Sequence, residues 1–259
     1  MKDVVLARAI DDSTFNVLNS GILFNQIDII NHVQADQEFL QQVVTTFLDE
    51  EMIKSLTSKG KELGHVKKDG DKMDVDDTGK PGETPHSNGS TKRQPTEAEV
   101  KRRREVLLLV QQLCVMGKNV QLPARMHLFR ILNERGIPFA VQWGLNQPES
   151  DPENLPIICA AGEILTALLD HDLGGIRSHV LKQHSLDDQT SARKVEHDTI
   201  VSVMCRVLVR SKDLAVQSQI AESLRVMLET PTNDALDQHV SIPTLSSVFR
   251  RLISSQVHG

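Results

Sequence analysis

Residues 155–170, LPIICAAGEILTALLD, return at 214–229 as LAVQSQIAESLRVMLE, so that Leu155 recurs as Leu214, 59 positions further on. Leu155, Ile157, Ala161, Glu163, Leu165, Leu168 and Leu169 align with Leu214, Val216, Ile220, Glu222, Leu224, Met227 and Leu228. Positions 157, 161, 165 and 168 step by four, four and three, the spacing that stacks side chains on one face of an α-helix. Both copies therefore read as amphipathic helices carrying the same apolar stripe. A helix that repeats its stripe at a fixed offset cannot cover it alone, and stacking one copy on the next buries it. The repeat selects an all-α solenoid, a scaffold rather than a reaction vessel.

Composition narrows this further. The chain is 39% hydrophobic but only 3% aromatic, with no Tyr, so its core must be built from Leu, Ile and Val. Sheet proteins lean on aromatic and β-branched residues, and alternating runs joined by hairpin turns are scarce here, so no strand is expected. A formal net charge of -6 argues against direct nucleic-acid binding, which a basic excess would accompany. No apolar run reaches the roughly 18 residues expected of a membrane-spanning helix. The opening MKDVVLARAIDDS places Asp3 and Arg8 inside what would be a signal's apolar stretch, which points to the cytosol or nucleus. Cys114, Cys159 and Cys205 stand alone in apolar helical stretches, as small core residues of a reducing compartment do.

Four regions follow along the chain. Residues 1–55 form a first helical block, with Ser13 as an N-cap, a sandwiched helix over 22–33, a break or close contact at Gly21, and a stripe of Phe39/Leu40, Val43/Val44 and Phe47/Leu48. Residues 56–95 turn to Gly, Lys, Asp, Ser, Thr and Pro, a composition that cannot bury enough apolar area to offset its ordering entropy, and read as a disordered insertion. Residues 96–230 resume the helical array. Thr96 and Glu99 make a capping box, Gly117 ends that helix, Pro123 sits in the first turn of the next and Gly136 stops it. A short helix over 137–145 follows, then the first repeat copy opening at Asp151, a turn at Asp172, a helix over 173–184, a polar loop over 185–191 and a helix over 195–209 before the second copy. Residues 231–259 read as an irregular tail. Helices joined by short turns are the pattern of armadillo and HEAT arrays, whose period is about 40 to 47 residues; the polar loop or a third helix per repeat accounts for the longer offset.

Reactive chemistry finds no support in the spacing. HExxH, GxSxG, GxxxxGK[ST] and GxGxxG are all absent from the sequence. His171, His179 and His184 are the nearest approach to a cluster, but steps of eight and five do not put metal ligands on one helical face. Asp170, His171 and Asp172 read as a solvated turn before Gly174 and Gly175. No catalytic, cofactor-binding or metal-ligating residue is assigned. The basic run Lys101, Arg102, Arg103 and Arg104, with Lys92 and Arg93 upstream, is a candidate nuclear-import signal; the competing reading is a solvated helix start balanced by Glu97 and Glu99.

Phe24-Asn25-Gln26-Ile27-Asp28-Ile29-Ile30, followed by Asp36-Gln37-Glu38-Phe39-Leu40, resembles the central domain of protein phosphatase 4 regulatory subunit 3, the SMEK or Psy2 family. The likeness continues through the helix over 105–116, through Gly136-Ile137-Pro138 and through the repeat helices to about 229. The resemblance implies an armadillo-like, non-catalytic subunit of a serine/threonine phosphatase complex, nuclear and also cytoplasmic, linked to DNA-damage signalling. Its implied partners are the phosphatase 4 catalytic subunit, a companion regulatory subunit and phosphoprotein substrates, with no nucleic acid, no membrane and no cofactor. The family's amino-terminal EVH1-like domain has no counterpart before Met1, and 237–259 do not resemble the expected continuation, so a fragment or truncated reading frame is expected. The alternative function is a general armadillo-type adaptor unrelated to phosphatases.

Overall fold

The computed structural model describes residues 11–48, 95–190 and 198–229, and every described element is helical. In chain order they are α1 (Asp12–Ala35), α2 (Gln37–Thr45), α3 (Glu97–Gly117), α4 (Leu122–Arg135), α5 (Ile137–Leu145), a 3-10 turn (Pro152–Asn154), α6 (Leu155–Thr190), α7 (Ile200–Arg210) and α8 (Leu214–Leu228). The 56–95 insertion, save its last residue, and the whole 231–259 tail lie outside the described residues.

One layer runs α1, α3, the first half of α6, α8, each helix packed on the next. A second set packs behind it: α2 against α4 and α5, and α5 against α7, with α4 and α5 both laid on α6. The chain is an all-α helical solenoid. The two repeat copies occupy successive places in the first layer and bury the same stripe. Ile157 and Val216, Ala161 and Ile220, Leu165 and Leu224, and Leu168 and Met227 are all buried, while Leu155 and Leu214 are both exposed.

Local signals explain where the elements start and stop. Thr96 and Glu99 form the capping box reciprocally, the Thr96 hydroxyl receiving the Glu99 N–H and the Glu99 carboxylate receiving the Thr96 N–H. Gly136 ends α4 at φ 96, a left-handed backbone that side chains disfavour, and Pro138 then opens α5. Gly117 closes α3 for a different reason. It lies buried so near α4 that a Cβ would stand 2.5 Å from Leu128 Cδ2.

The first block departs from expectation. Asp11 rather than Ser13 caps α1, its carboxylate accepting from the Thr14 N–H at 3.1 Å while the Ser13 and Thr14 hydroxyls also donate to it. These bonds hold the Asp11 carboxyl well below the usual carboxylate range. Gly21 neither breaks α1 nor makes a close contact; the helix runs through it and nothing lies within 4 Å of its would-be Cβ. Nor is α1 sandwiched. Ile30 and Val33 are buried near its end, but Val17, Leu18, Leu23, Phe24 and Ile29 are exposed, because among the described helices α1 has neighbours on one side only. Phe47 and Leu48 are buried as expected, though in a turn after α2 has ended.

Three boundaries are corrected in the second half. Residues 185–190, expected as a polar loop, continue α6. Helix α7 begins at Ile200, not 195, because Thr199 and Ser202 cap it reciprocally. The apolar run judged too short for a membrane is also longer than expected: Pro152–Gln183 has a window of mean hydropathy 1.2, enough by length and composition to cross one. Of that window 61% is buried among α3, α4, α5 and α8, which makes it the central helix of a stack.

The turn at Asp172 is present, with φ -151 and ψ 62 interrupting α6, but it is anchored rather than solvated. Asn133 Nδ2 donates to the Asp172 carbonyl at 3.1 Å and to its carboxylate at 2.8 Å, and the carboxylate accepts from the Gly175 N–H at 3.2 Å. A Cβ at Gly175 would fall 2.1 Å from Asp172 Oδ2, so this knot closes only around glycine. The same device recurs at the ends of the layer helices. Arg125 Nη2 donates to the Val120 carbonyl after α3, and Arg177, 6% exposed, donates to the Met227 and Glu229 carbonyls at the end of α8. The last carbonyls of a helix have no partner within it, and where a neighbouring helix shields them from water, as at Met227, a side chain of that neighbour satisfies them.

Candidate interaction surface

Where α3, the first half of α6 and α8 lie side by side, their outward faces frame a shallow depression of about 140 Å³. Gln111, Cys114, Val115 and Lys118 line it from α3, Glu163, Thr166 and Ala167 from α6, and Gln219 from α8. Polar side chains tie the helices across it. Gln111 Nε2 donates to Glu163 at 2.7 Å, joining α3 to α6, and Gln219 Nε2 donates to Thr166 at 3.4 Å, joining α6 to α8. Gln219 lies over Gly162, its Oε1 2.3 Å from where a Cβ would be, so α8 approaches α6 closely there. Beyond the depression, Arg225 bridges Glu222 and Glu229 along α8, and its guanidinium is held still more firmly protonated by the Glu222 hydrogen bond and the two carboxylates. A continuous, polar, gently relieved face of this kind suits the laying-on of another macromolecule better than the enclosure of a small substrate.

The residues singled out from the sequence are distributed differently. The basic run divides at the surface of α3. Lys101 and Arg102 are exposed, whereas Arg103 and Arg104 are half-buried and engaged. Arg103 Nε donates to the Thr46 carbonyl at 2.8 Å, tying α3 to the end of α2, and Arg104 reaches Asp151 at 2.9 Å, Asn154 at 2.8 Å and Glu153, tying it to the turn before α6. Lys92 and Arg93 lie outside the described residues.

The histidines do not converge. His171 stacks on Phe129 with ring centroids 4.4 Å apart, and His179 meets Phe139 edge-on at 4.8 Å. Burial lowers both imidazoles, His179 to about 4, with Lys182 adding to the effect there. The side chain of His184 falls outside the described residues. Among the described residues no group of three His, Cys, Asp or Glu is placed to hold a metal ion. Cys114 is buried and its thiol is pushed up to about 12 by burial. Cys159 and Cys205 are half-buried, packed against the core, and raised chiefly by the same cause. Sequence reading missed Asn133 and Arg177; the available signal was a polar residue on a stripe of apolar ones, as Arg177 lies between Ile176 and Val180.

These features define a class: a helical-repeat protein, a stack of helices with a polar depression on its exposed side. The chain belongs to the phosphatase 4 regulatory subunit 3 family, whose model matches residues 1–247. It is 24% identical over 237 residues to Suppressor of Mek1 of Dictyostelium discoideum, covering 92% of this chain and 17% of that protein. It is 22% identical over 233 residues to an uncharacterized protein of Schizosaccharomyces pombe, covering 89% of this chain and 22% of that one. The chain thus spans about a fifth of the length of these relatives. No solved structure matches it.

Proposed function

We propose that the chain acts as a non-catalytic scaffolding subunit of a protein phosphatase 4 complex, binding the catalytic subunit and its companion regulatory subunit and bringing phosphoprotein substrates to them. The observation that carries this reading is the reach of the family match, residues 1–247, which takes in both repeat copies and therefore the whole described stack. The polar face of α3, α6 and α8 supports it, since successive helices there present one continuous surface on which partners can be arranged.

A nuclear as well as cytoplasmic location and a part in DNA-damage signalling belong to the same proposal. For import, Lys101 and Arg102 supply the accessible charge at the start of α3, and Lys92 and Arg93 precede them in the sequence. Affinity purification of the tagged chain tests the central claim. Stoichiometric recovery of a phosphatase 4 catalytic subunit is expected. If neither that subunit nor its companion copurifies, with this chain or with a longer form of it, the assignment fails.

A further inference from the structure

The ring of Phe129, fully buried in α4, gathers three basic side chains from three helices. His171, at the end of the first half of α6, stacks on it with centroids 4.4 Å apart. Lys118 directly follows Gly117, whose would-be Cβ lies 3.7 Å from two atoms of the same ring. Arg125 stands one helical turn before Phe129 on α4, and its Nη2 donates to the Val120 carbonyl at 3.0 Å, just beyond Lys118. The three therefore meet where α3, α4 and α6 come together. That junction adjoins the depression, whose lining includes Lys118 and, one turn before His171, Ala167. The exposed Asp170 beside His171 is the carboxylate that opposes Arg125 and Lys118 in their effect on the imidazole.

The fold does not neutralise these charges. Arg104 and Arg206, half-buried arginines elsewhere in the stack, are each paired with a carboxylate, Asp151 and Asp198 respectively. Arg125 is half-buried too, yet it has only the Val120 carbonyl: its Nε is buried with no partner, and among the described residues neither it nor Lys118 forms an ion pair. A cation partly withdrawn from water without a counter-ion is a cost that an arriving anion relieves. We propose that Lys118, Arg125 and His171 receive a phosphate ester carried by a partner protein. Two fixed positive charges and an imidazole N–H suit a phosphate, with a charge of about -1.5 to -2 and three acceptor oxygens, better than a carboxylate, whose single charge either cation would satisfy. Arg125 brings its remaining Nη1, and Lys118 a flexible ammonium that can close over the ligand. Gln111 and Gln219, further along the depression, are the polar groups that the adjoining peptide meets. The carrier, a phosphoprotein substrate, rests on the scaffold reading above; the phosphate site itself rests on the geometry around Phe129.

NMR titration of the full chain tests this, read at the His171 ring signal, which is assigned by its loss in His171→Asn. The probes are a peptide with one phosphoserine between neutral residues, its unphosphorylated form, and inorganic phosphate. The phosphopeptide should bind and raise the His171 pKa, because a nearby anion favours the charged imidazole; the unphosphorylated peptide should do neither. Lys118→Gln should weaken binding about tenfold or more, and since Lys118 is exposed this variant should keep its melting temperature. Lys212→Gln, equally exposed but in the turn before α8, should leave the affinity unchanged. No binding of the phosphopeptide, equal binding of its unphosphorylated form, or an affinity indifferent to Lys118→Gln overturns the inference. Inorganic phosphate bound more tightly than the phosphopeptide makes this a site for a free anion and overturns it as well. Copurification of the phosphatase catalytic subunit is read separately: its absence from wild type, with phosphopeptide binding intact, fails the scaffold reading and leaves the phosphate site standing.

Discussion

Leu165 and Leu224 are the same position of the repeat, yet their truncation should not have the same consequence. Leu165 is fully buried in α6, which has α3, α4, α5 and α8 packed around it. Leu224 is 8% exposed in α8, which packs on α6 and α7. Replacing a buried Leu by Ala costs about 2–5 kcal/mol, the spread reflecting how far the surroundings collapse into the space left behind. With neighbours on every side, α6 has little freedom to collapse, so Leu165→Ala belongs at about 4–5 kcal/mol. Among the described helices α8 packs on only two and has more freedom to shift inward, which places Leu224→Ala at about 2–3 kcal/mol. Urea denaturation measures both values. Hydrogen exchange resolved by segment adds the pattern: a solenoid is coupled from neighbour to neighbour, so Leu224→Ala should release α7 and α8 first while Leu165→Ala lowers protection on both sides of α6. Equal costs with equal global loss of protection would refute the argument, since they describe one compact unit instead of a stack. Costs below about 1 kcal/mol at both sites would mean that the repeat is a coincidence of composition.

Five further outcomes follow from the structure. Gly144→Ala should destabilise by about 1–3 kcal/mol in a thermal or urea melt, because its Cβ would stand 2.7 Å from Ala161 Cβ and 2.8 Å from Leu107 Cδ2. Arg177→Met should cost at least about 2 kcal/mol and speed exchange at the carboxyl end of α8, since it strips the partners from buried carbonyls. His179 is neutral in the fold with its pKa lowered from 6.5 to about 4, so its contribution is complete above pH 6.5 and is lost as pH falls through that window towards 4. The loss amounts to no more than about 3 kcal/mol, and His179→Phe should flatten the stability profile there relative to wild type. Lys101→Ala with Arg102→Ala should reduce nuclear accumulation of a fusion too large to diffuse through pores and leave the melting temperature unchanged. Arg103→Ala or Arg104→Ala should lower the melting temperature, because these side chains tie α3 to its neighbours.

What the sequence determined by itself was the part of the fold that is periodic or local. The stripe shared by 155–170 and 214–229 fixed two helices, their buried faces and their equivalence, because helical geometry converts spacing directly into facing. The Thr96 capping box and the Gly136 stop were legible for a similar reason: each is made by residues a few positions apart, as is the position, though not the anchoring, of the Asp172 turn. The order of small likenesses along the chain also carried the family. Everything that depends on which helix lies beside which was decided only in three dimensions. Nothing near Arg177 in the chain announces that it will seal the end of α8, fifty residues on, nor does Asn133 signal that it will hold Asp172. The basic run read as one feature, yet packing split it, because Arg103 and Arg104 face neighbouring segments while Lys101 and Arg102 face solvent. Helix α1 looked sandwiched because apolar residues occur around it, but only the stack shows that it stands at one end of the described layer, with described neighbours on one side only. Spacing along a chain specifies the direction in which each side chain points; the arrangement of the other helices specifies what it meets there.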